Sequence, residues 1–266
     1  MVRGLLYSAY TLMPAHGCTE DQRDCNVSRR NLLRGAGLTG AAACVAMTGL
    51  GLALPDDAFA VALGKDERDG LSPQQVLDRL MEGNERFRNS RPLRHDYLAQ
   101  KAATSESQYP AAIILSCIDS RAPAEILMDT GIGEVFNTRL AGNVVNPDVL
   151  GSMEFACAVA GSKLVLVMGH SSCGAIKGAI AGAQLGNLTG LVDRMKPAVE
   201  ATVHEGRRDE KNPAFVDDVA RTHVRMTVQS IRQQSSVLAG LERCGAIALQ
   251  GAMYHLKGGR IELLDA

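Results

Sequence analysis

Two short runs, Ala111 to Ser116 (Ala-Ala-Ile-Ile-Leu-Ser) and Lys163 to Met168 (Lys-Leu-Val-Leu-Val-Met), are apolar almost throughout. Each is too short for a free-standing helix and ends in a polar cluster, the pattern of a strand buried on both faces of a parallel sheet. Glu134 to Leu140 reads as a third strand. Between and around the strands the apolar period changes to that of a helix. Val76, Leu77, Leu80, Met81 and Phe87 share one helical face, and Ser72-Pro73-Gln74-Gln75 ahead of them forms a capping box with Pro in the first turn. Tyr97 to Thr104, Leu150 to Ala160, Leu185 to Glu200 and Pro213 to Leu238 also read as helical. Gly245 to Leu256, the turn Lys257-Gly258-Gly259 and Arg260 to Leu264 predict a terminal hairpin. Strands alternating with helices predict an α/β fold: one domain over 71–266, with a mostly parallel central β-sheet flanked by helices and an N-terminal helical arm.

The pattern is different in the first sixty residues. Gly35 to Leu54 carries no charge, and Ser28-Arg29-Arg30-Asn31-Leu32-Leu33-Arg34 precedes it. This resembles a twin-arginine (Tat) export signal. Ala58-Phe59-Ala60 is a small-x-small site of the kind signal peptidase cleaves. The expectation is a removed leader over 1–60 and a short linker over 61–70. It also includes engagement of the Tat machinery, a periplasmic or extracytoplasmic location, and no stable membrane insertion after cleavage. A 20-residue run can also span a bilayer, so an uncleaved anchor is the alternative. Its Gly and Ala content weakens that reading.

Composition narrows the function. The 266 residues carry 28 basic and 29 acidic side chains, for a net charge of -1. The leader holds five of each sign, so its removal leaves that balance unchanged. Nucleic-acid binding proteins usually carry a basic excess, and the chain has none; with no Trp and 4% aromatics it also lacks a stacking platform. Of seven Cys, three (Cys18, Cys25 and Cys44) leave with the leader, and no CxxC pair occurs.

Two of the remaining Cys sit where the chemistry collects. The first apolar strand delivers Cys117-Ile118-Asp119-Ser120-Arg121 and the second His170-Ser171-Ser172-Cys173-Gly174. Ligands of open parallel sheets bind outside these strand ends. Thiolates and imidazole suit zinc, and a carboxylate can complete its tetrahedron. Each piece alone is weak: a lone strand-end Cys is usually core, and an Asp-x-Arg pair usually a surface contact. Four ligand types on two such motifs form a much stronger signal. No GxGxxG or P-loop sequence follows either strand, which argues against a nucleotide site.

C-x-D-x-R followed by H-x-x-C resembles the signature of the β-class carbonic anhydrases. The likeness continues through Gly133-Glu134-Val135-Phe136, Arg139-Leu140-Ala141-Gly142-Asn143, Gly186-Asn187-Leu188-Thr189-Gly190 and Gly251-Ala252-Met253-Tyr254. The resemblance implies one zinc ion per subunit on Cys117, His170 and Cys173. Asp119 would either fill the fourth site or pair with Arg121 and leave it to water. The reaction implied is reversible hydration of carbon dioxide to bicarbonate by zinc-hydroxide attack, gated by the Asp119–Arg121 pair. Two thiolates donate more charge to zinc than imidazoles do, so alkaline pH is expected to favour activity. The resemblance also assigns substrate contacts to Gln108, Phe136, Phe155 and the Gly174 amide, and implies a homodimer or a higher even homo-oligomer. Alternatives are the same zinc site acting on carbon disulfide or carbonyl sulfide, or a non-catalytic zinc-stabilised scaffold. Cys157 and Cys244 match no ligand position, and a disulfide between them is an open alternative to core packing. His95, His204, His223 and His255 are shuttle candidates by residue type alone and read better as surface or helix-end residues.

Overall fold

A computed structural model describes residues 59–60 and 62–265. The leader sequence up to Ala58 lies outside the described residues. A two-residue strand, β1 (Phe59–Ala60), is followed by α1 (Lys65–Gly70), α2 (Pro73–Arg88), β2 (Arg94–His95) and α3 (Tyr97–Ala103). The sheet then begins with β3 (Ala112–Ser116), α4 (Ala124–Leu127), β4 (Val135–Arg139), α5 (Pro147–Glu154) and β5 (Leu164–His170). Helices α6 (Gly174–Ala181), α7 (Gly186–Asp193), α8 (Lys196–Ala201), α9 (Pro213–Gln234) and α10 (Ser236–Arg243) precede β6 (Ala248–Tyr254) and β7 (Ile261–Leu264).

The main sheet has the order β4-β3-β5-β6-β7. Its first four strands are parallel and β7 closes it antiparallel, as the terminal hairpin requires. Alternation along β3 and β5 divides the core in two. Ile113, Leu115, Val165 and Val167 face α5 through α10, whereas Ala112, Ile114, Leu164 and Leu166 face α2 and α4. Both strands are buried at every position, which explains their continuous apolar runs.

The capping box at α2 forms: Ser72 Oγ accepts from the Gln75 N–H at 3.2 Å, and Gln75 Oε1 accepts from the Ser72 N–H at 2.8 Å. Several expected boundaries move. Residues 61–70, read from the sequence as a linker, contain α1, whose Arg68 is buried and donates to the Ala160 carbonyl. The Leu150–Ala160 segment is α5 followed by a π-turn over Phe155–Val159. The Leu185–Glu200 segment splits into α7 and α8. The long segment from Pro213 breaks at Ser235, whose side chain caps α10 by accepting from the Leu238 N–H at 3.1 Å. β1 pairs in parallel with β2, so the small-x-small site overlaps an element rather than a free linker. Among the described residues no helix is long and apolar enough to cross a membrane.

Candidate metal centre

β3 and β5 are neighbours in register, with Ser116 opposite Met168. Their C-terminal ends therefore place Cys117 and His170 side by side. His170 is the last residue of β5, and Cys173 is the N-cap of α6. The ligand atoms of Cys117, His170 and Cys173 all lie within 4.8 Å of one another, and all three residues are buried. The two sulfurs are 4.0 Å apart. Zinc–sulfur bonds of about 2.3 Å would put two sulfurs of a tetrahedron about 3.8 Å apart, so the observed spacing fits.

His170 supplies the clearest test of that fit. Its Nδ1 lies 3.0 Å from the Ser171 carbonyl oxygen. A carbonyl only accepts, so Nδ1 carries the proton and Nε2 is left as the coordinating atom. Among the described residues Nε2 is buried with no hydrogen-bond partner. An orphaned imidazole nitrogen beside two thiols is the donor set zinc prefers. Cys117 is pulled well below the ordinary thiol range by a hydrogen bond from Cys173, helped by His170 and by the Gly142 N–H at 3.3 Å. Cys173 moves up in turn, because it shares its proton with Cys117 and is buried. A cation held by Cys117, His170 and Cys173 would take the place of that shared proton.

Asp119 stands outside this cluster. Arg121 grips its carboxylate with Nε at 2.9 Å and Nη2 at 2.8 Å, and adds its backbone N–H at 3.0 Å. These bonds hold the Asp119 carboxyl well below the usual carboxylate range. Asp119 Oδ2 is still only 3.8 Å from His170 Nε2. Arg139 fixes the backbone on which both residues ride, donating to the carbonyls of Cys117 at 2.9 Å and Asp119 at 2.5 Å. Gly174 opens α6 against the same cluster, and a Cβ there would meet nothing within 4 Å.

The remaining expected substrate residues are not brought to this point within one chain. Gln108 is exposed on the segment leading into β3, at the opposite end of the strand from Cys117. At about 3.3 Å per residue, the strand separates them by at least about 13 Å. Phe136 pairs with Ile113, four residues before Cys117. Its ring meets Phe155 edge-on, with centroids 6.2 Å apart, in an open cleft of about 570 Å³. The expected surface position of His223 is also corrected: it is buried, facing the Gly142 carbonyl oxygen at 2.9 Å. Cys157 is a buried free thiol, so it forms no disulfide with Cys244, and burial pushes its pKa up to about 12.

Sequence reasoning singled out neither Arg139 nor Asp217 as part of the site. The only signal for Arg139 was its place in the Arg-Leu-Ala-Gly-Asn stretch, and Asp217 had none. Asp217 reaches the site from α9, 45 positions after the Ser172 N–H that it accepts.

The carbonic anhydrase family matches residues 112–261, the span from β3 to β7. Carbonic anhydrase 2 of Mycobacterium tuberculosis is 38% identical over 200 residues, covering 73% of this chain and 94% of that protein. A carbonic anhydrase of Mycolicibacterium smegmatis is 35% identical over 194 residues, covering 72% and 93%. Among solved structures, a β-carbonic anhydrase of the fungal pathogen Aspergillus fumigatus superposes with a TM-score of 0.54 at 27% identity, over 62% of this chain and 79% of that one. The mostly parallel sheet, the Cys-His-Cys cluster at its strand ends and these matches agree, and the chain belongs to the β-class carbonic anhydrase family.

Proposed function

We propose that this chain catalyses the reversible hydration of carbon dioxide to bicarbonate and a proton, with one zinc ion per subunit held by Cys117, His170 and Cys173. The observation that carries the reading is the pairing of Asp119 with Arg121 beside a three-residue ligand cluster. Zinc, when bound, supplies the Lewis acidity that makes water a nucleophile near neutral pH. The protein's own groups do the rest. Arg121 keeps the Asp119 carboxylate ionised and turned away from the cluster. From there Asp119 accepts a hydrogen bond from the attacking water and aims its lone pair at carbon dioxide. The Gly174 N–H, in the first turn of α6, donates to an oxygen of the bicarbonate product.

The working unit is a homodimer or a larger even oligomer. β4 is an edge strand, half-buried at all five positions, and the Phe136–Phe155 cleft opens beside it. Docking of a second copy on this edge covers the cleft and gives Gln108 and both aromatics access to a reaction centre that their own chain does not offer them. Sedimentation equilibrium should show no monomer at micromolar concentration; a stable, active monomer refutes this arrangement. The leader sequence supports export by the Tat route, and N-terminal sequencing of the exported protein should read from near Val61.

Stopped-flow hydration of carbon dioxide by the zinc-loaded mature protein, at neutral and alkaline pH, tests the activity. Turnover should rise toward alkaline pH. A zinc-loaded protein that is inactive at both pH values refutes the proposal and turns attention to carbon disulfide, carbonyl sulfide or a scaffold role.

A further inference from the structure

Helix α9 packs on the sheet face that carries Cys117, and one of its carboxylates reaches the turn between the other two ligands. Asp217 Oδ1 accepts the Ser172 N–H at 2.8 Å. That N–H and the Ser171 carbonyl belong to the same peptide unit. The carbonyl end of this unit accepts from His170 Nδ1 at 3.0 Å. A single peptide plane therefore links the Asp217 carboxylate to the imidazole whose Nε2 faces the two sulfurs.

The peptide needs an external hold. Ser172 has φ +55°, a left-handed conformation uncommon for a residue with a side chain. The rest of the turn is tied on other sides: the Ser171 N–H donates to the Tyr254 carbonyl at 2.9 Å, and Ser171 Oγ accepts from the Leu256 N–H at 3.0 Å. Neither bond fixes the rotation of the 171–172 peptide plane, and the Asp217 bond does. Metal-binding imidazoles are commonly oriented by a carboxylate or a carbonyl on their far nitrogen, and the loss of such a partner costs about 10–100-fold in metal affinity or activity. Here the two kinds of partner stand in series. A carboxylate accepting from the N–H end of a peptide also polarises its carbonyl end, which strengthens the His170 hydrogen bond.

We propose that Asp217 is a positioning residue of the metal centre, setting the orientation and tautomer of His170 through the Ser171–Ser172 peptide. It touches neither substrate nor metal. The inference rests on the reading of Cys117, His170 and Cys173 as the zinc site.

The test is zinc affinity, measured by chelator competition on the full-length wild type, Asp217→Leu and Asp217→Asn. Asp217→Leu removes the acceptor, and its zinc dissociation constant should rise about 10–100-fold. Asp217→Asn keeps an acceptor oxygen and should recover most of that loss. In the zinc-loaded wild type, the His170 Nδ1 proton should give a slowly exchanging, downfield resonance that shifts in Asp217→Leu. A merely structural role would lower thermal stability without moving that resonance or the affinity. Unchanged zinc affinity in a folded Asp217→Leu protein overturns the proposal, as does an equal loss in Leu and Asn. If Asp217→Leu does not fold, the wild type decides: a Ser172 amide that exchanges as fast as an open loop overturns the proposal. A wild type that binds no zinc overturns the metal-site reading itself, which is a distinguishable result.

Discussion

Arg121 is exposed, and an exposed ion pair ordinarily contributes little to stability. Its effect here lies in geometry: three hydrogen bonds to one carboxylate fix where Asp119 can point. Without them the Asp119 oxygen at 3.8 Å from His170 Nε2 has a short path into the ligand cluster. Arg121→Ala should therefore retain zinc yet lose about 10–100-fold in kcat/KM for carbon dioxide hydration. Metal analysis alongside stopped-flow kinetics checks both halves. Undiminished activity removes the gate from the mechanism, and loss of zinc would make Arg121 a support of the site rather than of its open state. The ligands themselves were legible because two fully apolar strands announce their own ends and the polar residues follow at once. Gln108 does not meet Cys117 within one chain because a residue offset carries no direction: β3 runs away from it toward Cys117. Asp217 was invisible as a site residue and His223 was a candidate by residue type alone, because ordinary residue types reach the turns across 45 and 81 positions, through contacts that exist only once α9 is packed.

Helices and strands show the same division between what pattern reveals and what packing decides. Pro213 to Leu238 reads as mostly helical because its apolar positions keep step throughout. The break at Ser235 comes from a buried side chain that accepts from the Leu238 N–H and donates to Glu154 Oε1 at 2.6 Å, tying α10 to α5. Ser235→Ala removes a cap and leaves Glu154 without this donor, which should cost about 1–2 kcal/mol. Urea denaturation should show a lower midpoint with an unchanged slope; an unchanged midpoint would mean that apolar packing alone sets the break. Gly83 in α2 is a second case. A Cβ there would lie 1.8 Å from the Met128 carbonyl oxygen, which is backbone and cannot swing aside. Helix propensity favours Gly83→Ala, but the close approach of α2 to the end of α4 should outweigh it, for a net loss of about 1–3 kcal/mol. A stabilised variant would show that the two elements separate freely.

Across the whole molecule the charges nearly cancel, so the pH dependence of stability depends on individual carboxylates rather than on net repulsion. Glu262 on β7 is the best placed of these. Arg221 on α9 meets it with two bonds, at 2.7 and 2.9 Å, and His255 beyond β6 with one at 2.8 Å. It thereby joins the antiparallel edge of the sheet to the helix behind the metal centre. The Arg221 bonds, aided by His255, pull its carboxyl from about 4.5 down to about 2. A depressed carboxyl binds its proton more readily when unfolded, so the stabilisation is complete above about pH 4.5 and is lost as pH falls through about 2. Glu262→Gln removes this group from the acid limb while keeping the side chain's shape. Between pH 5 and pH 3 the urea midpoint of the wild type should therefore fall further than that of Glu262→Gln. Protonation of the metal ligands acts on both proteins alike and cancels in the comparison. Equal falls would mean that the cluster at the β7 edge contributes nothing to acid stability, and that its bonds are matched by water in the unfolded chain.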